Sequence, residues 1–244
     1  MNKLLIFVSF TLIMLSSCEK DDFCNCLENE GSQISETRTF PDFERIEMNN
    51  NVDIILTPDS VSYAILTCGK NLADGIKTEV VDGWLKVRNI NRCNWLRDFT
   101  NKFTLDVHYR SIKGINYLGS GNLSCSDTLR TSELLVESWN GTGTLDFVLN
   151  SGDIYFKLHT GPADIQASGL ANYLYVYSAG NGYIKTASLN SEYVVVNTKS
   201  TGDCEVNANQ TLEVNIGYNG DVFYHGNPPD IQQVITGKGK LYPF

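Results

Sequence analysis

A glycine-bearing corner returns every 18 to 22 residues between Gly119 and Gly239. The triplets are Gly119-Ser120-Gly121, Gly141-Thr142-Gly143, Gly161-Pro162-Ala163, Gly180-Asn181-Gly182, Ser200-Thr201-Gly202, Tyr218-Asn219-Gly220 and Gly237-Lys238-Gly239. A fixed period near 20 marks a solenoid in which each repeat is one rung. The Leu-x-x-Leu-x-Leu pattern of leucine-rich repeats, which share that period, is absent. Here each unit reads as an alternating apolar strand, a small-residue corner and a second short strand. Val194 and Val196 precede Gly202, for example, and Cys204 follows it. Glycine at the corners permits positive φ and close stacking of one corner on the next. The expected class is all-β: a β-helix-like solenoid over 119–244, with an irregular β-sandwich as the competing arrangement.

Residues 40–118 lack that period and read as a meander. Phe43, Ile46 and Met48 lead into Val52 to Leu56, and Pro58-Asp59-Ser60 makes a turn before Val61 to Thr67. Lys70 to Gly75 reads as a loop. Ile76 to Val81 and Trp84 to Val87 flank Asp82-Gly83, a strong hairpin signal. No stretch sustains a 3.6-residue apolar period over a helix's length.

The N-terminus carries an address. Lys3 precedes the apolar run Leu4 to Leu15, which suits a secretory h-region and is shorter than the ~20 residues a membrane span needs. Leu15-Ser16-Ser17-Cys18 resembles a bacterial lipobox. The resemblance makes residues 1–17 a lipoprotein signal peptide and Cys18 the lipidated first residue of the mature chain, held by two acyl chains. Lys20-Asp21-Asp22 is similar to an export signal of surface lipoproteins. A polar stretch through residue 39 has too few apolar residues for a core and reads as a tether. The expected location is the outer membrane, lipid-anchored and on the cell surface, with a periplasm-facing orientation as the alternative.

Phe43-x-x-Ile46 followed by Asn51-Val52-Asp53-Ile54, the Asp82-Gly83-x-Leu85 hairpin and the glycine ladder together resemble the head GIN domain family of autotransporter adhesin heads. The resemblance covers Phe40 to Phe244 as a single domain and implies a β-helical adhesive module. Cys68-Gly69 and Arg92-Cys93-Asn94-Trp95 are similar to a lipoprotein branch of that family. Pro162-Ala163 departs from the pattern by lacking the second glycine, so that rung is expected to bend.

Beyond Cys18, six cysteines remain in what would be an oxidising compartment. Cys68 and Cys93 bracket the hairpin strands, and a bridge between them would staple the meander at ~3 kcal/mol. Cys125 and Cys204 share the parity of the core residues Leu123 and Val206. Both are expected to point inward, and four rungs at ~4.8 Å place them ~19 Å apart, beyond disulfide reach, so buried free thiols are expected. Cys24-Asn25-Cys26 lies in the tether and makes a poor zinc site.

The net charge of −9 argues against nucleic acid as a partner. β-Helical enzymes need carboxylates clustered on neighbouring rungs. Asp153, Asp164, Asp203 and Asp221 instead sit mostly beside corners, where Asp is a turn residue, and His108, His159 and His225 are scattered. No catalytic, phosphate-binding or calcium-repeat motif occurs, so no enzyme, cofactor or metal is expected. Strand parity puts Leu134, Val136, Ile154, Phe156, Leu158, Leu174, Val176, Val194, Val196, Leu212 and Val214 inside. The opposite face then carries Trp139, Tyr155, His159, Tyr173, Tyr175, Tyr177 and Tyr193, rimmed by Lys157 and Asn197. Tyrosine suits sugar faces and protein interfaces, and these rings serve either ligand contact or plain packing. Asp59-Ser60-Val61 and Asp127-Thr128-Leu129 also resemble short bacterial O-glycosylation sites. The expected role is a non-catalytic adhesion or binding lipoprotein for glycan or another surface polymer. A structural envelope scaffold is the alternative, and a carbohydrate-active enzyme the third reading.

Overall fold

The computed structural model describes residues 29–92 and 102–244, which build one 17-stranded sheet coiled into a β-solenoid. On one face β6 (Trp84–Asn89), β2 (Arg45–Asn50), β8 (Gly114–Gly119) and β10 (Leu129–Trp139) stack in parallel. The C-terminal halves of β11 (Thr144–Thr160), β12 (Asp164–Ser178), β13 (Ile184–Thr198) and β14 (Cys204–Ile216) continue that face to β16 (Asp230–Ile235). On the other face run β7 (Thr104–Tyr109), β3 (Asp53–Pro58) and β9 (Leu123–Cys125). The N-terminal halves of β11 to β14 follow, then β15 (Val222–His225) and β17 (Leu241–Pro243).

The segment 40–118, which lacks the glycine period, therefore also supplies rungs. They are threaded out of sequence: the β2–β3 rung lies between the β6–β7 rung and the β8–β9 rung. Antiparallel strands cover the N-terminal end. β5 (Ile76–Val81) pairs with β6 through the Asp82-Gly83 turn, where both residues have positive φ, as the hairpin reading requires. β4 (Tyr63–Gly69) pairs with β7, and β1 (Gln33–Thr39) pairs with β4. Two readings change here. Gln33–Thr39 is a strand, not the end of a tether, and its Ile34 packs against the core. Lys70–Gly75 is a 3-10 helix that buries Leu72 and Ala73.

The core consists of side-chain columns in register. Leu105, Ile54, Leu123, Leu145, Ile165, Ile184, Cys204 and Val222 form one. Leu85, Ile46, Ile115, Val136, Phe156, Val176, Val196 and Val214 form another. Every member is buried, and full burial of an aliphatic or phenylalanine side chain contributes ~1.5–3 kcal/mol. The residues of β10 to β14 assigned inward by strand parity are inside, whereas Cys125, given the same parity, is only partly buried.

The corners hold this stacking, for a reason that differs from the expected one. Among the corner triplets only Gly161 has a positive φ. At most of the others a carbonyl of the rung above occupies the space of a Cβ, while at Gly141 and Gly143 the Tyr117 side chain comes nearest. A Cβ at Gly202 would lie 2.0 Å from the Gly182 oxygen, one at Gly220 2.3 Å from that of Gly202, and one at Gly121 2.0 Å from that of Val52. Ala163 is accommodated with its side chain fully buried, and the β11–β12 register runs unbroken past it, so the expected bend at Pro162-Ala163 is absent. The register shifts lie elsewhere, between Ser138 and Trp139, between Gln166 and Ser168, and between Lys185 and Tyr193.

The corner aspartates have a structural task. Asp164 Oδ1 accepts the Tyr183 amide, Asp203 Oδ1 the Asp221 amide and Asp221 Oδ1 the Lys240 amide, each at 2.8 Å. Each carboxylate thus satisfies a backbone donor of the next rung, a role charge makes stronger. Tyr117 closes the first corners from inside: its hydroxyl donates to the Gly121 oxygen and accepts from the Gly143 amide.

Gly202→Ala is expected to cost ~1–3 kcal/mol, because the obstruction is backbone and must move. Gly217→Ala, whose Cβ would meet the flexible Lys199 side chain at 3.3 Å, should stay within ~0.5 kcal/mol of wild type. Urea unfolding of both variants checks this, and equal losses would contradict the corner-contact account.

Candidate ligand-binding face

The outward columns of the first face gather the predicted tyrosines. Tyr155 stands directly above Tyr175, and Tyr173 directly above Tyr193. Tyr155 makes ring contacts with both Tyr173 and Tyr175, at centroid separations of 5.9 and 6.2 Å, with the rings tilted. Tyr155, Tyr173 and Tyr175 are half-buried, whereas Tyr193 is 47% exposed. Tyr177 belongs to a separate row. It packs on His159 at 5.5 Å, and His159 stacks on Trp139 at 3.9 Å and 10°. His159 Nε2 lies 3.2 Å from Glu137 Oε1, and Lys157 Nζ lies 3.7 Å from the same oxygen. The single tyrosine cluster drawn from parity is therefore two rows side by side, one of tyrosines and one of Trp139, His159 and Tyr177.

Below Tyr175 a cleft of about 440 Å³ opens, walled by Val195, Asn197, Glu213, Asn215 and Gln232. These follow from register, since Tyr175, Val195, Glu213 and Gln232 occupy one column and Tyr177, Asn197 and Asn215 the next. The buried Asn197 Oδ1 has no hydrogen-bond partner. Sequence reading placed Asn197 at the rim and missed Glu213, Asn215 and Gln232. Stepping one repeat at a time from Tyr175 would have found Glu213 and Gln232.

Electrostatically the face favours donors over acceptors. Burial pushes the Tyr173 phenol above its usual pKa, and Tyr155, Tyr175 and the negative charges of Glu213 and Asp153 add to the shift. The phenol therefore stays protonated and neutral at ordinary pH. Three half-buried aromatic bodies with polar tips, beside a cleft lined by amides and one carboxylate, can stack on a ring and hydrogen-bond its substituents.

A second polar cluster lies across the ends of β3, β4 and β7. His108 Nδ1 is 3.1 Å from Asp59 Oδ2, its Nε2 is 3.5 Å from Asp106 Oδ2, and Tyr63 stacks on the ring at 4.0 Å. Asp59 is held below its usual pKa, chiefly by the Ser60 amide and then by His108. Thr57 donates to Asp106, and the buried His108 Nε2 faces the same carboxylate without a hydrogen bond. This is a clamp on the Pro58–Val61 turn. Among the described residues no group of three or more His, Cys, Asp or Glu is placed to bind a metal, and no helix is long and apolar enough to cross a membrane.

Cys68 is buried and its thiol is free, while Cys93, its expected partner, lies outside the described residues. Cys18, Cys24 and Cys26 lie outside them too. Cys125 and Cys204 are free, as expected. Cys204 stacks four rungs from Leu123 in one core column, whereas Cys125 is only partly buried. Burial pushes the Cys204 thiol up from 9.0 to about 12. A thiol that loses its proton later when folded stabilises the fold below the unfolded pKa, and that contribution is lost as pH rises from about 9 through about 12. Cys204 is expected to resist iodoacetamide until the chain unfolds, and Cys204→Ala to soften the alkaline loss of stability. Peptide mapping and melting curves at pH 8 to 11 check both; a Cys125–Cys204 bridge would contradict the rung geometry.

A family model described as "Putative auto-transporter adhesin, head GIN domain" matches residues 42–228. Among solved structures, a "putative adhesin" from Bacteroides fragilis superposes with a TM-score of 0.80 at 19% identity, over 87% of this chain and 97% of that one. A "putative adhesin" from Parabacteroides merdae gives 0.66 at 19% identity, over 88% and 98%. A "putative lipid binding protein" from Parabacteroides distasonis gives 0.64 at 20% identity, over 88% and 98%. At these identities the structures show a shared fold. No curated protein matches the chain.

Proposed function

The chain belongs to the head GIN domain family, and on that premise we propose that it is a non-catalytic adhesion module that binds a glycan or similar surface polymer through its tyrosine face. The observation that carries this reading is the contact of Tyr155 with Tyr173 and with Tyr175, the last of which lines the cleft. A purely structural scaffold has no need of a half-exposed aromatic row opening onto an unpartnered amide oxygen. The corner aspartates, which an enzyme would need as acid and base, are committed to the backbone of the next rung.

The reading extends to the cell surface through the lipobox-like Cys18, with the solenoid held away from the outer membrane on its N-terminal lipid. Palmitate labelling in cells should be lost in Cys18→Ala, and labelling that persists would remove the anchor. Surface proteolysis of intact cells separates outward from periplasm-facing display.

A glycan array with the wild-type domain and Tyr175→Ala tests the binding face. The wild type is expected to bind a restricted set of glycans, and Tyr175→Ala to weaken that binding roughly tenfold while the fold stays intact, because truncating a half-buried surface ring leaves the core columns untouched. Unaltered binding by Tyr175→Ala, or its unfolding, would return the tyrosines to a packing role.

A further inference from the structure

The tyrosine face has an electrostatic feature that its aromatic content alone does not explain. Asp153 lies directly above Tyr173 in register, and Glu213 lies two rungs below Tyr175. Neither carboxylate has a hydrogen-bond or ion-pair partner among the described residues. The neighbouring cation, Lys157, leans on Glu137 in the adjacent row. Asn197 lines the cleft, and its buried Oδ1 is a third acceptor without a hydrogen-bond partner. The Tyr155 ring, in contact with those of Tyr173 and Tyr175, makes with them an electron-rich surface, and such surfaces attract organic cations more strongly when flanked by negative charge.

We propose that this face recognises a protonated amine: Tyr155, Tyr173 and Tyr175 receive an ammonium group between Asp153 and Glu213, and the cleft at Asn197 takes the hydroxyls of the adjoining sugar. The inference rests on the glycan-binding reading and narrows it to polymers that carry free amino sugars. It excludes uronic-acid, sulfated and sialylated glycans, whose charges meet two unpaired carboxylates. An amino sugar fits better than a simple ammonium compound because the cleft, at about 440 Å³, extends from the rings past Asn197 and calls for hydrogen-bond donors beyond the charged group.

The test uses titration calorimetry of the soluble domain with three probes at low salt: a fully deacetylated glucosamine hexamer, its N-acetylated counterpart and a galacturonic acid hexamer. The deacetylated hexamer is expected to bind at least tenfold more tightly than the acetylated one, to weaken as sodium chloride is raised, and to lose roughly tenfold in Glu213→Gln. The galacturonic hexamer should not bind. Melting temperatures of Glu213→Gln and Asp153→Asn control for folding, and both side chains are on the outward face, so both variants should melt like wild type. Equal affinity for the acetylated hexamer, with Tyr175→Ala still weakening it, overturns the amine assignment and leaves the glycan reading standing. Binding of the galacturonic hexamer alone does the same. Binding of choline, titrated as a fourth probe, without binding of any hexamer overturns the sugar component, and no binding by any probe or by the glycan array overturns both.

Discussion

The structure depends on how closely one corner carbonyl approaches the glycine of the next rung. A methyl group at Gly202 or Gly220 would meet backbone oxygen well inside contact distance, so the rungs stack in register only while those positions stay bare. Once the corners stack, the ladders on both faces follow, and so do the apolar columns that fill the interior. The outward columns are fixed by the same registration. Tyr155 stands above Tyr175, and Tyr173 above Tyr193, because the ladders run in step from Asp153 to Leu158 and from Tyr173 to Ser178. The aromatic face is thus a product of the corner geometry as much as of the tyrosines.

Much of this was legible in the sequence, because a short period and strand alternation are local signals. The repeat, the inward side chains of β10 to β14, the Asp82-Gly83 turn and the outward tyrosines all follow from them. What escaped was non-local. β2 and β3 fit between β6–β7 and β8–β9, and nothing in the order of residues announces a rung inserted between two later ones. Gln33–Thr39 is polar on one side because it is an edge strand with one exposed face, a pattern that resembles a spacer in isolation. The corner glycines were attributed partly to backbone conformation, whereas the decisive term is the atom facing them from the rung above. The cleft escaped because Glu213 and Gln232 belong to different repeats and become neighbours of Tyr175 only through register.

The two polar clusters show why a histidine beside carboxylates is not by itself a site. At His108 the ring lies between the Asp59 and Asp106 carboxylates and is covered by Tyr63, and the result ties a turn to three strands. On the tyrosine face the Asp153 and Glu213 carboxylates and the buried Asn197 Oδ1 have no partners, and the rings beside them keep part of their surface in water. Desolvating an unpartnered acceptor is unfavourable unless something donates to it. A ligand rich in donors gains from those groups, and one rich in acceptors loses.

Tyrosine footprinting of the soluble domain by hydroxyl radicals, with and without the deacetylated glucosamine hexamer, tests the central claim most directly. Tyr183 and Tyr218, 46% and 50% exposed at the corners, serve as internal references. The account predicts protection of Tyr173, Tyr175 and Tyr193 on addition of the oligosaccharide, with Tyr183 and Tyr218 unchanged. Protection confined to the corner tyrosines, or bound oligosaccharide with no change on the tyrosine face, would contradict it.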